Sequence, residues 1–278
     1  MLLYRRLLRS IAKHGLRAAI VRSYQRLVKS LRNHGIGGTL SRAWRPRPPV
    51  LPPNPPLIHP FDRLHGTDTS GFIQGGYLLF DNPSGAYTVA YYGISPSTLM
   101  QALTELTIQH ERFTFVDIGC GKGRALLIAA RFPFRRLLGV DYSAELCAIA
   151  RANLATQPGA TERTTILTQD AATLVFPETP LLIFLYDPFL EKVLKRFLAN
   201  LERQLRRSPR ETYVLYAAAD RYTTIVARYP FLRQIYDIQI PMSAEDAAVD
   251  RHGLTHEHYT LYKSSLAKTG TGAQTPSP

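Results

Sequence analysis

Apolar and polar positions alternate along the centre of the chain in a way that predicts strands and helices by turns. The run Leu-Leu-Ile-Phe-Leu-Tyr at 181–186 is apolar almost throughout, as expected of a parallel strand covered on both faces. Five such short apolar or β-branched runs predict strands, at residues 113–118, 136–141, 164–169, 181–186 and 212–218. Helical spacing recurs between and around them, at residues 97–109, 124–131, 144–154 and 189–206.

Strands that alternate with helices predict a parallel sheet with helices on both faces, because the crossovers are right-handed. Two further strand-like runs, at residues 231–240 and 258–263, have no helical pattern between them. This spacing predicts an antiparallel closing hairpin. We therefore expect an α/β fold, a three-layer αβα sandwich with a mostly parallel seven-stranded sheet.

Residues 1–45 have a different pattern, because Leu and Ile recur at three- and four-residue steps with Arg and Lys on the other face. This pattern predicts a basic amphipathic helical arm ahead of the sheet. Of the 34 Lys and Arg residues in the chain, twelve lie in residues 1–50, which contain no Asp or Glu. The rest of the chain contains 22 basic and 21 acidic residues, so it is nearly neutral. This distribution disfavours a broad nucleic-acid surface on the domain.

Several partners suit the arm. It can pack its apolar stripe on the domain, adsorb to an anionic membrane surface or dock on nucleic acid, and an Arg-rich targeting presequence would look similar. It has no apolar run near the ~18–20 residues that span a bilayer. We expect a cytoplasmic protein, with the arm as the segment that would hold it at the inner face of the membrane.

Composition also marks the limits of the domain. Residues 46–61 are dense in proline and predict an extended linker, while residues 266–278 are rich in Thr, Gly, Ser and Pro and predict a disordered tail. The folded domain is expected between them, at residues 62–265. The two cysteines, Cys120 and Cys147, fall inside predicted core, which excludes a disulfide scaffold or a zinc ribbon.

A glycine-rich turn directly after the first strand and before a helix carries the strongest chemical signal. Alternate glycines let the backbone turn tightly and let a ligand approach the main-chain amides. A dinucleotide fingerprint is disfavoured because Arg124 stands where a small residue is needed, and a phosphate loop fails because Lys122 is not followed by Ser or Thr. The candidate binding residues of this turn are Asp117, Gly119, Cys120, Gly121 and Gly123.

An acidic residue two positions before a G-x-G-x-G turn resembles motif I of class I S-adenosylmethionine-dependent methyltransferases, and the chain is most similar to bacterial members of unassigned substrate. The resemblance implies S-adenosylmethionine as the cofactor. It also implies that Asp141, beside Tyr142, accepts from the ribose hydroxyls, and that Asp170, beside Ala171, meets the adenine. Asp141 follows Asp117 by 24 residues, close to the roughly 20-residue offset of a ribose-binding carboxylate.

The fourth strand is followed by Asp187, Pro188 and Phe189, which resemble motif IV of the amino-group methyltransferases with one proline fewer. The resemblance implies that these are catalytic residues, with Asp187 accepting a hydrogen bond from an amine and Phe189 excluding water. The missing proline disfavours a nucleic-acid base as acceptor. An ordinary helix start, with Asp as N-cap and Pro in the first turn, is the alternative.

Tyr92 and Ser95 precede the predicted helix at 97–109. In related bacterial methyltransferases, and more distantly in the non-SET histone lysine methyltransferases, a Tyr and a Ser or Thr before Pro close over the cofactor. The resemblance implies this role here, and helix capping is the alternative for Ser95. Residues 66–80 also resemble the bacterial group, without a role attached.

These features predict an S-adenosylmethionine-dependent methyltransferase that transfers a methyl group to an acceptor nitrogen by in-line displacement, with a protein lysine or another amine as the leading acceptor. The alternatives are a small-molecule O-methyltransferase and a noncatalytic membrane-associated module that retains the fold. The expected partners are this acceptor and an anionic membrane surface, and nucleic acid is disfavoured. We expect no metal, because the histidine cluster lacks further ligands nearby; its members are His252, His256 and His258.

Overall fold

The computed structural model describes residues 58–73, 89–217 and 222–266. The predicted arm, most of the predicted linker and almost all of the predicted tail lie outside these residues. In the described part of the chain, the helices are too short or too polar to cross a membrane.

Nine strands are present among the described residues. Their bounds are β1 Phe72–Ile73, β2 Tyr91–Tyr92, β3 Thr114–Ile118, β4 Arg136–Asp141, β5 Thr164–Thr168, β6 Leu181–Tyr186, β7 Thr212–Ala217, β8 Leu232–Pro241 and β9 His256–Ser264. Strands β1 and β2 form a small antiparallel pair. The other seven form one sheet in the order β5-β4-β3-β6-β7-β9-β8, in which the first five are parallel and β9 runs antiparallel to both its neighbours. This order confirms the mostly parallel seven-stranded sheet and the antiparallel closing hairpin.

Helices cover both faces of the sheet and complete the predicted three-layer sandwich. Their bounds are α1 Pro60–His65, α2 Pro96–Glu105, α3 Arg124–Ala129, α4 Ala144–Ala155, α5 Glu191–Arg207, α6 Thr223–Val226 and α7 Ala244–Val249. Apolar residues of α2, α3 and α4 pack in one core with Phe115 of β3. Those of α5 and α6 pack in a second core with Val116 and Ile118 of the same strand. Successive residues of β3 thus serve opposite faces, as the pleat requires.

Two local predictions were wrong. The segment between β8 and β9 contains α7, which is capped by Ser243, whose hydroxyl accepts a hydrogen bond from the backbone amide of Asp246. A helix of six residues is too short to show an apolar period. At the other end, α1 begins at Pro60, inside the predicted linker, because proline is well suited to the first turn of a helix.

Candidate functional site

Two cavities lie side by side at the carboxyl ends of the central parallel strands, where ligands bind in open α/β sheets. The larger cleft is open to solvent, and it encloses about 630 Å³ when the solvent space at its mouth is included. The smaller cavity, of about 290 Å³, lies next to it. Both are lined by the same four residues, Tyr91, Tyr92, Gly119 and Tyr186, which form their shared wall.

The glycine turn between β3 and α3 has the left-handed backbone expected from its sequence. Gly119, Gly121 and Gly123 have φ of 78°, 53° and 85°. A Cβ atom on Gly119 would lie 2.6 Å from Cβ of Pro188, and one on Gly121 would lie 2.4 Å from the ring of Tyr91. Glycine is therefore required here both by the conformation and by what packs against the turn.

Asp141, at the end of β4, joins the glycine turn to the larger cleft. Its Oδ2 accepts a hydrogen bond from the amide of Gly121 at 2.9 Å, and its Oδ1 accepts from the amide of Ser143 at 2.8 Å. Burial raises the pKa of this carboxyl, although the backbone amides oppose the rise. Asp141 and Tyr142 both line the larger cleft. The two residues that the resemblance assigns to the ribose thus border the same cleft.

Asp117 lies in the smaller cavity and is buried without a full set of partners. The residue is 3% exposed, and its Oδ2 has no hydrogen-bond partner among the described residues. Burial, and secondly the negative charge of Asp141, raises the pKa of Asp117 to about 8. A buried carboxylate oxygen without a donor fits a ligand that brings its own donor or positive charge. Cys120 lines the same cavity.

The structure brings Ala171 to the larger cleft but turns the carboxylate of Asp170 elsewhere. Ala171 and Gln169 line the cleft, whereas Asp170 is absent from its lining. Asp170 caps a short 3₁₀ turn, since its Oδ1 accepts from the amide of Ala172 at 2.8 Å, and its Oδ2 lies 3.5 Å from the guanidinium of Arg196. In this conformation, the main chain next to Asp170, and not its side chain, borders the cleft.

Asp187, Pro188 and Phe189 form the turn between β6 and α5. Asp187 has a φ of 38° and is the one described non-glycine residue with positive φ. Its Oδ1 accepts a hydrogen bond from the hydroxyl of Tyr216 at 3.4 Å. Pro188 and Phe189 line the larger cleft, and Pro188 packs on Gly119. The strained backbone of Asp187 is of a kind that collects at functional sites.

Tyr92 and Ser95 are separated by the structure. Tyr92 lines both cavities, and its hydroxyl donates to Oδ1 of Asp250 at 2.9 Å. Burial raises the pKa of Tyr92 to about 12. Ser95 lines neither cavity and does not cap α2 with its side chain; its hydroxyl donates to Oδ2 of Asp246 at 2.7 Å. Ser95 was predicted to close over the cofactor, and its side chain is instead committed to a carboxylate.

Residues 62–70, which we call the clasp, tie the glycine turn to the start of the domain. The guanidinium of Arg124 donates to Oγ1 of Thr69 at 2.7 Å, to the carbonyl of Thr69 at 3.0 Å and to the carbonyl of Ile94 at 3.1 Å. Lys122 Nζ donates to Oδ1 of Asp68 at 2.7 Å. Residues 66–80 resemble the bacterial methyltransferases, and the first part of this segment has a structural role as part of the clasp.

Asp62 holds the clasp together from inside, and the sequence offered no signal for it. This buried carboxylate accepts from the hydroxyl of Thr67 at 2.7 Å, from the amide and hydroxyl of Thr69, and from the hydroxyl of Ser70. These hydroxyl donors lower the pKa of Asp62 despite its burial, and the charge of Arg124 acts in the same direction.

Three further residues near the shared wall were missed by sequence reasoning. The hydroxyl of Tyr91 donates to the carbonyl of Thr69 at 2.6 Å, and that of Tyr186 donates to Oε1 of Glu257 at 3.1 Å. Tyr186 is the last residue of β6 and directly precedes Asp187. Because ligands bind at the carboxyl ends of parallel strands, this position could have been predicted from the sequence. Glu257 lies in the last strand, and its contact with Tyr186 exists only once the sheet has formed.

The side chains of the histidine cluster make separate contacts and do not converge on one point. His258 pairs with Asp237, and the ring of His252 lies edge-on to that of Tyr92 at 5.5 Å. Within the described ranges, no group of three or more His, Cys, Asp or Glu residues is arranged to hold a metal ion.

Residues 115–208 match the model of a family described as a methyltransferase domain. The match runs from β3 to the end of α5 and includes the glycine turn, Asp141, Asp170 and Asp187. None of the curated proteins matches the chain.

Solved structures with a similar fold include three proteins of low sequence identity. TrmN from Thermus thermophilus is 18% identical, with a TM-score of 0.44 over 62% of this chain and 49% of that one, so the chain spans about half its length. The O-methyltransferase from Bacillus cereus in complex with SAH is 15% identical, with a TM-score of 0.44 over 62% of this chain and 82% of that one. The PH0226 protein from Pyrococcus horikoshii is 14% identical, with a TM-score of 0.45 over 60% of this chain and 88% of that one.

The family match identifies residues 115–208 as a methyltransferase domain. The mostly parallel seven-stranded sheet with helices on both faces is consistent with the Rossmann-like fold of such domains. The cofactor that this domain implies is S-adenosylmethionine.

Polar groups that line the two cavities match polar groups of this cofactor. Asp141 can accept from a hydroxyl group in the larger cleft, because its two carboxylate oxygens have about four lone-pair sites and the amides of Gly121, Ser143 and Tyr142 use three of them. The unpartnered Oδ2 of Asp117 in the smaller cavity suits the ammonium group of the cofactor's amino-acid end. The residues present therefore fit the cofactor at two chemically distinct points.

Proposed function

We propose that the protein is a methyltransferase that transfers the methyl group of S-adenosylmethionine to the nitrogen of an amine, and that a lysine side chain on a protein is the acceptor to test first. The observation that carries this proposal is the carboxylate of Asp187. It stands at the end of β6 in a strained backbone conformation, next to two residues that line the larger cleft. Strain of this kind persists only where surrounding contacts enforce it.

A carboxylate in this position suits an amine better than a neutral oxygen acceptor. It accepts hydrogen bonds and attracts positive charge, so it can hold an ammonium group and then orient the lone pair of the neutral amine. Phe189 is 8% exposed and packs on Phe197, which fixes it as an apolar wall of the cleft. When bound, the cofactor supplies an electrophilic methyl group, and the protein's part is to position the acceptor and to exclude water.

The test is to identify the methylated product. The purified protein is incubated with tritium-labelled S-adenosylmethionine and a cell extract, and the extract is separated into protein, lipid, nucleic-acid and small-molecule fractions. We expect label in protein, recovered after acid hydrolysis as methylated lysine. The D187N variant keeps the shape of the side chain without its charge, and we expect it to lower transfer by about 100-fold while S-adenosylhomocysteine still binds.

Other outcomes would contradict this proposal. Label in a small molecule, released as methanol by mild base or recovered as a methyl ether, would support an oxygen acceptor. Normal binding of S-adenosylmethionine with no label in any fraction would support a noncatalytic module. Transfer by D187N at the wild-type rate would remove Asp187 from the mechanism.

We also propose an anionic membrane surface as the partner of the arm. The support is its charge, twelve basic and no acidic residues in residues 1–50, against a nearly neutral remainder. Such an arm would concentrate the enzyme at the membrane without any apolar span.

A further inference from the structure

Two tyrosine hydroxyl groups on the shared wall are each bonded to a carboxylate. Tyr92, from β2, donates to Asp250 at 2.9 Å, and Tyr186, from β6, donates to Glu257 at 3.1 Å. Both rings line both cavities. A phenol between a cavity and a carboxylate can pass a proton from one to the other, so each pair is a candidate for acid–base chemistry.

The two phenols differ in the hydrogen bonds that they accept. The oxygen of Tyr92 accepts from the amide of Arg251 at 2.9 Å, so it is engaged both as donor and as acceptor. The oxygen of Tyr186 donates to Glu257, and no described residue donates to it. The phenol oxygen of Tyr186 can therefore accept a hydrogen bond from a ligand in the cavities that this residue lines.

Glu257 is buried behind Tyr186 and surrounded by donors. It is 4% exposed, and its Oε2 accepts from the hydroxyl of Thr98 at 2.5 Å and from that of Tyr259 at 3.2 Å. The amide of Ser95 approaches its Oε1 at 3.5 Å. These contacts come from α2, β6 and β9, so they fix the carboxylate from three elements.

No basic side chain of the described residues pairs with Glu257. Two other acidic groups act on the surroundings of Glu257. The charge of Asp250 acts on Tyr186, and Asp246 is bonded to Ser95 and lies 3.4 Å from the ring of His59. Burial raises the pKa of Glu257 to about 7, although its hydroxyl donors oppose the rise. A carboxyl group with such a pKa can take up and release a proton near neutral pH.

We propose that Tyr186 is a catalytic residue that takes a proton from the acceptor nitrogen, and that Glu257 is the positioning residue that receives the phenol's own proton. This inference rests on the proposed function, because an alkylammonium acceptor must lose a proton before its nitrogen can attack. The inference identifies Tyr186 as the group that receives this proton.

The proton transfer balances without any external reagent. The acceptor's N–H bond breaks, and its proton bonds to the oxygen of Tyr186. At the same time, the O–H bond of Tyr186 breaks, and that proton bonds to Oε1 of Glu257, which becomes a neutral carboxyl. The nitrogen keeps its electron pair for attack on the methyl carbon, and Glu257 later returns the proton to solvent.

The pair can be tested without knowing the acceptor. The probe is sinefungin, an analogue of the methyl donor in which a carbon that carries an ammonium group replaces the methyl-bearing sulfonium. S-Adenosylhomocysteine has no group at that point. The ratio of the two affinities, measured by calorimetry at pH 6 and pH 8, therefore reports on the charge and the hydrogen-bond acceptors around the transferring methyl group.

We expect the preference of the wild-type protein for sinefungin to rise between pH 6 and pH 8, by at most about tenfold, as Glu257 becomes ionised. The E257Q variant should show a preference that does not depend on pH. The Y186F variant should lose about tenfold of its sinefungin affinity and keep its affinity for S-adenosylhomocysteine. Y259F is the matched control, because Tyr259 also donates to Glu257 but lines neither cavity, and it should lose much less sinefungin affinity than Y186F.

Three results would overturn the inference: a preference of the wild type that does not change with pH, equal effects of Y186F and Y259F, or an E257Q protein with the wild-type pH response. Retained binding of S-adenosylhomocysteine shows that a variant is folded, and E257Q decides the question if Y186F does not fold. The acceptor's identity does not enter this measurement. Label found on an oxygen would defeat the proposed function alone, and a failed affinity ratio would defeat only this inference.

Discussion

At the scale of single residues, the site depends on charge held out of water and on backbone conformations that few residues adopt. Asp117 is a buried carboxyl with an unpartnered oxygen, and Asp187 is a non-glycine residue with left-handed backbone. Each costs stability in the protein without ligand, because the first needs a donor and the second is strained. Such costs are expected where a structure is prepared for a ligand.

Asp117→Asn should stabilise the protein without ligand, and more so at high pH. The pKa of Asp117 is about 8 in the folded protein, against 3.8 for an aspartate in water, so the folded state holds a proton that the unfolded state has lost. Stability therefore falls as pH rises from about 4 to 8, and asparagine removes this fall. We expect the Tm of the variant to exceed that of the wild type by roughly 3–6 °C at pH 8 and by less at pH 5.

Thermal denaturation at both pH values checks this prediction, with Glu111→Gln, at an exposed position, as the control. An increase in Tm of the same size at pH 5 and pH 8 would show that Asp117 does not titrate as described. The same variant should bind S-adenosylhomocysteine more weakly, because it no longer offers a negative charge to the ligand's ammonium group.

Gly119→Ala should cost more stability than Gly159→Ala. Both glycines have left-handed backbone, with φ of 78° and 73°, and each alanine pays about 1–2 kcal/mol for that conformation. A Cβ on Gly119 also meets Pro188 at 2.6 Å, whereas the nearest atom to a Cβ on Gly159 lies at 3.9 Å. We expect an additional loss of about 1–3 kcal/mol at Gly119, measured by urea denaturation. Equal losses would show that Pro188 moves aside freely.

At the scale of elements, the glycine turn is held from two directions. The strands present it at the edge of the sheet, and the clasp fixes it from the other side through Arg124 and Lys122. Asn153 of α4 joins them, because its side chain donates to the carbonyls of Asp68 and Lys122 at 2.9 Å each. The position of the glycine turn thus depends on residues that lie more than fifty positions earlier in the chain.

Arg124→Lys should loosen the clasp although it conserves the charge. A lysine cannot replace the fork of a guanidinium that donates to Thr69 and Ile94 at once. We expect faster hydrogen exchange in residues 58–73 and a loss of about 2–4 kcal/mol in the free energy of unfolding. Arg135→Lys, at an exposed position, is the control. Unchanged exchange in residues 58–73 would mean that the clasp is held by its own internal bonds.

At the scale of the whole molecule, charge is divided between an N-terminal arm and a nearly neutral domain. The first described residues already belong to the domain, because the amide of His59 donates to the hydroxyl of Ser70 at 2.8 Å and its ring lies 3.4 Å from Asp246. A truncation that removes the arm must therefore keep these residues.

Full-length protein should sediment with anionic vesicles, and a variant that begins at Pro55 should not. Binding should weaken between about 0.1 and 0.5 M salt, because screening shortens the reach of the arm's charges. Neutral vesicles are the control, and they should retain little of either protein. Equal sedimentation of the two proteins on anionic vesicles would refute membrane binding by the arm.

The sequence by itself determined the order and type of most elements of the sheet. The strands β3, β4, β6 and β7 were predicted to within one residue at each end, because a buried parallel strand requires a continuous apolar run. The glycine turn and Asp141 were also predicted from local spacing. The short helix α7 was not, because six residues cannot establish a period.

The tertiary structure decided which side chains meet at the site. Asp170 and Ser95 had the expected positions along the chain, but nearby backbone amides and carboxylates draw their side chains away from the cavities. Tyr186 and Glu257, 71 residues apart, meet only because β9 inserts beside β7 in the sheet. Local sequence fixes backbone conformation through short-range sterics, whereas hydrogen-bond partners across strands depend on the assembled sheet.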